Sequence, residues 1–294
     1  IGEWKDTPSP YGPIWALIAS GIVRLGFMGT VDGVLVFKLL ALVTYAGGLL
    51  IVLWGARRSP AALLLFAWNP LVLLQGPAHA HNDLLMIVTA CLGLVLWERR
   101  RWWAAGVLLI TVGALVKAPA LLLGPILLIA VLRREPSWGR RVLVFGATVM
   151  LGLAVVAVAY IPYWPPWESM IGLAQAFATQ KTYTLLSLVR LSLTRLGVPA
   201  PYDFQGPRLF GLLVFHVCYV TLLWRVWKGR MGTYTAAFWT FFLYLFTSTS
   251  YRIWYPLWVV LPAALAYGEL RDELQRVRLL WRTGLLSLTS ELSI

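Results

Sequence analysis

The sequence predicts an all-α fold, a polytopic transmembrane helical bundle with interfacial helices in its outer loops. Two observations predict it. Of 294 residues, 60% are apolar and only 13% are charged, and long apolar runs recur from end to end, more than one water-soluble core of this size would hide. The cations gather between or after those runs, in five clusters: Arg57 and Arg58; Arg99 to Arg101; Arg133, Arg134, Arg140 and Arg141; Arg225, Lys228 and Arg230; and Arg271, Arg276, Arg278 and Arg282. With all five on the cytoplasmic side, one self-consistent topology satisfies the positive-inside rule. The net charge of +13 is read as topology, and no nucleic-acid partner is expected. The location implied is a bacterial cytoplasmic (inner) membrane, crossed several times.

The elements follow in order. Residues 1–31 read as a first outer segment, with Ile14 to Phe27 an interfacial helix and Arg24 on its polar side. Because this start is polar and already outside, a further apolar helix is expected upstream of Ile1. Residues 32–162 hold transmembrane helices and short hairpins. Gly33 to Trp54 runs inward, Ala61 to Gln75 outward and Leu84 to Trp97 inward, with a turn at residues 76–83. Trp103 to Leu132 begins and ends at cytoplasmic arginines, so it is a hairpin with its tip near Lys117. Each arm has only about 14 residues against the roughly 20 of a full span, which implies a recess in the outer leaflet. Val142 to Pro162 then runs outward. Residues 163–208 read as an outer loop with two interfacial helices, on which Lys181, Arg190 and Arg195 face anionic lipid. Residues 209–270 hold the C-terminal helices, Leu209 to Trp227, Tyr234 to Thr247 and Tyr255 to Leu270, making about eight spanning or partly spanning helices. Residues 271–294 read as a basic, amphipathic cytoplasmic tail.

Cys91 and Cys218 fall inside predicted spans and imply no disulfide framework. The chain has no phosphate-cradling glycine loop, no zinc-spaced Cys/His set and no serine elbow. What remains is where the outer turns converge. They carry Asp6 and Tyr11; His79, His81, Asn82 and Asp83; Lys117; and Arg252 and Tyr255. Ionisable groups at membrane depth are functional candidates because each costs a few kcal/mol unless paired or hydrated, about 3 kcal/mol on insertion scales. Cations stabilise a departing phosphate and a carboxylate can deprotonate an attacking hydroxyl, so both signs in one place suit chemistry on a phosphorylated lipid.

Plainer readings stand beside these. Asp83 would also serve to cap the helix that starts at Leu84. His79 and His81, two apart and near Asp83, would hydrogen-bond or hold a metal, and a divalent ion is left open as the one cofactor. His216, within a span, reads as a packed, hydrogen-bonded histidine. Lys117 would snorkel to headgroups, and Arg252 among Tyr251, Trp254 and Tyr255 would anchor in an aromatic belt.

Several motifs carry a resemblance. Trp68-Asn-Pro70 precedes the turn at Gly76 to Asp83, in which His81-Asn-Asp83 opens a helix; Ala114-Leu-Val-Lys117 follows, with a proline two residues on. Pro10-Tyr-Gly-Pro13 and Trp254-Tyr-Pro-Leu-Trp258 stand near the two ends. Together these resemble the GT-C superfamily of membrane glycosyltransferases, and within it the polyprenol-phosphate-mannose-dependent mannosyltransferases of actinobacterial and related envelopes. The resemblance implies transfer of mannose or another hexose from a polyprenyl-phosphate carrier to a lipid or glycan acceptor outside the cytoplasmic membrane. It implies catalytic carboxylates at Asp83 and Asp6, and substrate binding by Tyr11, His81, Asn82, Lys117, Arg252 and Tyr255. In such enzymes the base sits in the first outer loop, upstream of the Pro-Tyr-Gly-Pro-like motif. It is therefore expected before Ile1, with Asp6 as the substitute inside the chain. Two other readings are a non-catalytic subunit scaffolding partner subunits in a membrane complex, and a transporter of a lipid-linked substrate. The crowding of polar groups on one side, without a visible repeat, speaks against the transporter.

Overall fold

A computed structural model of the chain describes residues 9, 11–26, 29–164, 185–199, 202–248 and 251–292. Among them there is no strand, and the chain is an all-α polytopic membrane protein. The helices are α1 (Pro13–Arg24), α2 (Thr30–Gly55), α3 (Pro60–Ala67), α4 (Pro70–Leu73, continued by a π-turn over Leu74–Ala78), α5 (Asp83–Arg100), α6 (Trp103–Val116), α7 (Leu123–Leu132), α8 (Trp138–Tyr160), α9 (Leu185–Arg195), α10 (Tyr202–Trp227), α11 (Thr233–Thr247), α12 (Leu257–Glu269) and α13 (Glu273–Leu292). Three stretches are long and apolar enough to cross a bilayer, Val31–Gly55, Trp138–Tyr163 and Gln205–Trp227, and the bent pair α3–α4 would make a fourth. The other apolar helices are shorter: α6 has 14 residues, α11 has 15 and α12 has 13.

The centre of the bundle is α5 and α12. Every residue from Leu257 to Ala266 is buried, and α5 is buried on most of its circumference, as expected of helices apolar all round. Glycines let α6 close on α5: a Cβ on Gly93 would meet Gly106 O at 2.7 Å, and one on Gly113 would meet Met86 O at 3.0 Å. Small residues at such crossings bring backbones together where no water drives the association. At Lys117 the chain turns extended (φ −156°, ψ 127°), then makes a 3-10 turn over Ala118–Leu122 into α7.

The arginine clusters share one end of the bundle. Arg99 donates to the carbonyls of Trp54 and Gly55. Glu98 pairs with Arg101 at 3.2 Å and Arg134 at 4.0 Å and accepts from Thr233 Oγ1 at 3.1 Å. Arg141 lies over the Trp227 ring.

Three readings need correction. The outward run expected over Ala61 to Gln75 is bent by 49° between α3 and α4. Pro70 has no N–H and disfavours helical backbone at Asn69, and Asn69 Oδ1 restarts the helix by accepting from Leu71 N and Val72 N at 3.1 and 3.4 Å. Secondly, residues 271–294 are not a tail lying beyond the basic end. Helix α13 leaves that end and runs back along the bundle for about 30 Å at 1.5 Å per residue. Ser287 accepts from Asn69 Nδ2 at 3.0 Å and Ser290 bonds the Tyr251 hydroxyl at 3.0 Å, both far from the arginines. Its amphipathicity is inverted: Thr283, Ser287 and Ser290 are buried, while Leu274, Trp281, Leu285 and Leu288 are exposed. Each buried hydroxyl donates to the carbonyl four residues back at 2.7–2.9 Å, so the inward face carries no unmet donor and packs closely. Thirdly, Arg190 does not simply face lipid, because its Nε reaches the buried Asp203 at 3.3 Å. Lys181 and the first of the two helices expected in the long loop lie outside the described residues.

Candidate active site

Four chain segments meet at the end of the bundle away from the arginines: residues 11–12, 79–83, 117 and 251–258. Each arrives for a local reason. Gly12 donates to Val116 O at 3.1 Å, and a Cβ there would stand 2.1 Å from Leu115 O. Only glycine lets this segment press on the end of α6, which sets Tyr11 over Lys117. The π-turn and Ala80, held at φ 56°, swing His79 and His81 outward before α5 starts at Asp83. Helix α12 begins at Leu257, so Trp258 lies in its first turn beside the first turn of α5.

The middle of the site is a buried ion pair. Lys117 Nζ lies 2.7 Å and 2.9 Å from the two oxygens of Asp83, and Trp258 Nε1 donates to Oδ1 at 2.6 Å. Asp83 is 1% exposed and Lys117 5%. Desolvating both charges is costly, and close geometry with further donors offsets it. The aromatic rings around the ammonium add to that: its Nζ is 4.8 Å from the centroid of Tyr255, 5.5 Å from Trp258 and 5.7 Å from Tyr11. Tyr255 stacks on Trp258 at 4.2 Å. Asp83 also lies at a helix N-terminus, where the backbone dipoles favour its charge, although neither it nor Asn82 caps that helix with its side chain.

Above the pair is a second layer. The His81 ring stacks on Trp254 at 4.3 Å, and Arg252 reaches within 6.0 Å of the same indole. Burial holds the His81 pKa below its usual 6.5, with Lys117 and His79 acting in the same direction and Asp83 against them. Burial likewise raises the Tyr11 hydroxyl above its usual 10; Lys117 and Arg252 oppose that rise, and Asp83 and Tyr255 add to it. Two buried donors, Asn82 Nδ2 and Trp254 Nε1, have no hydrogen-bond acceptor among the described residues. Buried donors are ordinarily satisfied, so these two fit a polyhydroxylated ligand.

Asp83, Lys117, Tyr11, His81, Asn82, Arg252 and Tyr255 thus gather at one end, while Asp6 lies outside the described residues. Asp83, expected as a catalytic carboxylate, has its oxygens engaged by Lys117 and Trp258. The capping role considered for it is not made either. His79 turns to Gln75 Oε1 at 3.2 Å and His81 to Trp254, so the histidines and Asp83 do not converge on one point. Among the described residues no group of three His, Cys, Asp or Glu side chains is placed to hold a metal ion. No step is assigned to a divalent ion. His216 bonds its own helix, Nδ1 lying 2.7 Å from Leu212 O. Trp254 and Trp258 were not expected as site residues. Trp258 lies in the first turn of α12, whereas Trp254 precedes that helix, so helical spacing alone did not place it at the site.

Residues 2–133 match a family model described as the N-terminal domain of alpha-(1->6)-mannopyranosyltransferase. Alpha-(1->6)-mannopyranosyltransferase A of Mycobacterium tuberculosis is 26% identical over 89% of this chain and 53% of its own length. A probable alpha-(1->6)-mannopyranosyltransferase of Mycolicibacterium smegmatis is 26% identical over 89% of this chain and 54% of its own. Alpha-(1->6)-mannopyranosyltransferase A of Corynebacterium glutamicum is 31% identical over 40% of this chain and 25% of its own. The chain spans about half the length of the first two relatives. No solved structure matches. These matches bear out the resemblance to membrane mannosyltransferases of the GT-C type.

Proposed function

We propose, from this relation to GT-C-type mannosyltransferases, that the protein transfers a mannosyl residue from a polyprenyl-phosphate carrier to a lipid or glycan acceptor, at the outer face of a bacterial cytoplasmic membrane. The observation that carries the reading is the convergence of Asp83, Lys117, Tyr11 and Tyr255 from four separate segments, at the end of the bundle opposite the arginines. Under the positive-inside rule that end is the outer one.

In this reading an acceptor hydroxyl attacks the anomeric carbon, the bond from that carbon to the phosphate oxygen breaks, and the lipid phosphate leaves with the electron pair. Arg252 and the Lys117 ammonium offset the negative charge growing on the phosphate. Asp83 acts as a positioning residue that holds the ammonium in place, as Trp258 in turn holds Asp83. The donors on Asn82 and Trp254 take sugar hydroxyls. The hydroxyl proton passes to a carboxylate other than Asp83, for which Asp6 is the candidate within this chain.

The test is sugar transfer from a polyprenyl-phosphate-mannose donor by the full-length protein in membranes. Arg252→Ala and Lys117→Met each lower the rate by about 100-fold, the magnitude typical of removing one electrostatic contact to a transition state. Unchanged rates in both would remove these residues from the mechanism. Transfer retained in Asp6→Asn would assign the proton to another carboxylate.

A further inference from the structure

The arginine-rich end holds a second feature, distinct in place and chemistry from the site above. A cleft of about 770 Å³ opens between α10, α11 and α13. Its mouth is lined by Arg225, Arg230, Arg271, Arg278 and Arg282, and its floor by Leu222, Phe238, Trp239 and Leu243. The cations come from two separated parts of the chain, residues 225–230 and 271–282, so the cluster is made by the fold rather than by a single run. Arg225, Arg230, Arg271 and Arg278 are exposed and form no ion pair with any described residue, while Arg282 lies 4.9 Å over the Trp239 ring. One carboxylate lines the cleft, Glu269, and its Oε2 accepts from Thr235 N and Oγ1 at 2.8 and 2.6 Å. Glu273 faces Arg276, which is not among the lining residues. The positive charge is therefore largely uncompensated.

We infer that this cleft binds an anionic phospholipid of the arginine-side leaflet, with the phosphate among the arginines and an acyl chain along Trp239 and Leu243. Guanidinium groups match phosphate oxygens in bidentate geometry, and basic pockets between membrane helices on the cytoplasmic side suit such headgroups. Free phosphate shares the headgroup chemistry. The apolar floor distinguishes the two sources, since burying each methylene contributes about 0.8 kcal/mol that free phosphate lacks.

The test is native mass spectrometry of the whole chain, released from neutral detergent after exposure to phosphatidylglycerol, phosphatidylcholine or glycerol phosphate. Phosphatidylglycerol is expected to remain bound at least about tenfold more than phosphatidylcholine, a difference of roughly 1.4 kcal/mol. The Arg225→Gln/Arg278→Gln/Arg282→Gln variant falls to the phosphatidylcholine level. Leu243→Trp, which fills the floor and keeps every arginine, loses the lipid as well. Arg140→Gln, at the same end but outside the cleft, retains it. Undiminished binding in the triple variant, equal loss in Arg140→Gln, or displacement of the lipid by equimolar glycerol phosphate would each overturn the assignment.

Discussion

At the scale of single residues, the site is organised by one charge pair whose members stand 34 positions apart in sequence. Removing one partner strands the other in an apolar, water-poor setting, so Asp83→Asn or Lys117→Met is expected to destabilise the protein by about 3–5 kcal/mol. The double variant Asp83→Leu/Lys117→Met recovers most of that loss, because no buried charge remains. Equilibrium unfolding in detergent reads the difference, and additive losses would mean that the pair is not coupled. His81 supplies a pH dependence. Its folded pKa is depressed, so the unfolded chain binds a proton at a pH where the folded chain does not. The stability His81 contributes is present above about pH 6.5 and is lost as pH falls from there through the lower folded value. Thermal midpoints measured from pH 5 to 7.5 should accordingly decline toward acid in the parent, and His81→Gln should flatten that slope.

The elements decide which residues meet. Gly12 and the α5–α6 glycines act by allowing backbones to touch, so their replacement is expected to displace the site rather than to alter its chemistry. Gly12→Val puts carbon against the Leu115 carbonyl, which cannot yield as a flexible side chain would. It should cost about 1–3 kcal/mol of overpacking strain and lower sugar transfer while Lys117 and Asp83 remain intact. Wild-type stability together with wild-type transfer in this variant would refute the close contact. Asn69 joins two functions, restarting the helix at α4 and tying it to Ser287 of α13. Asn69→Ala should lose about 1–2 kcal/mol, the range of a lost cap, and should expose the far end of α13 to faster hydrogen exchange.

For the whole molecule, the separation of arginines and site to opposite ends predicts sidedness. With Cys218→Ser as background, His79→Cys should react with a membrane-impermeant maleimide on intact cells, and Arg140→Cys only after permeabilisation. The reverse pattern would invert the topology. Much of this was legible in the chain itself, since apolar runs need lipid or one another and cation clusters resist crossing a bilayer; the helical class, the order of runs and the turns carrying His81, Asp83, Lys117 and Tyr255 follow from those two facts. The bend at Asn69 was readable too, because an Asn-Pro pair interrupts a helix by its own covalent structure. The sequence could not say that Asp83 is spent on Lys117 and Trp258 rather than left open to an acceptor, that Trp254 joins the site, or that α13 turns Ser287 and Ser290 inward and Leu285 and Leu288 out. Those are decided by tertiary contact, because pairing between groups far apart in the chain depends on which backbones approach closely. In lipid, moreover, an apolar side chain has no intrinsic preference for the inside of the protein.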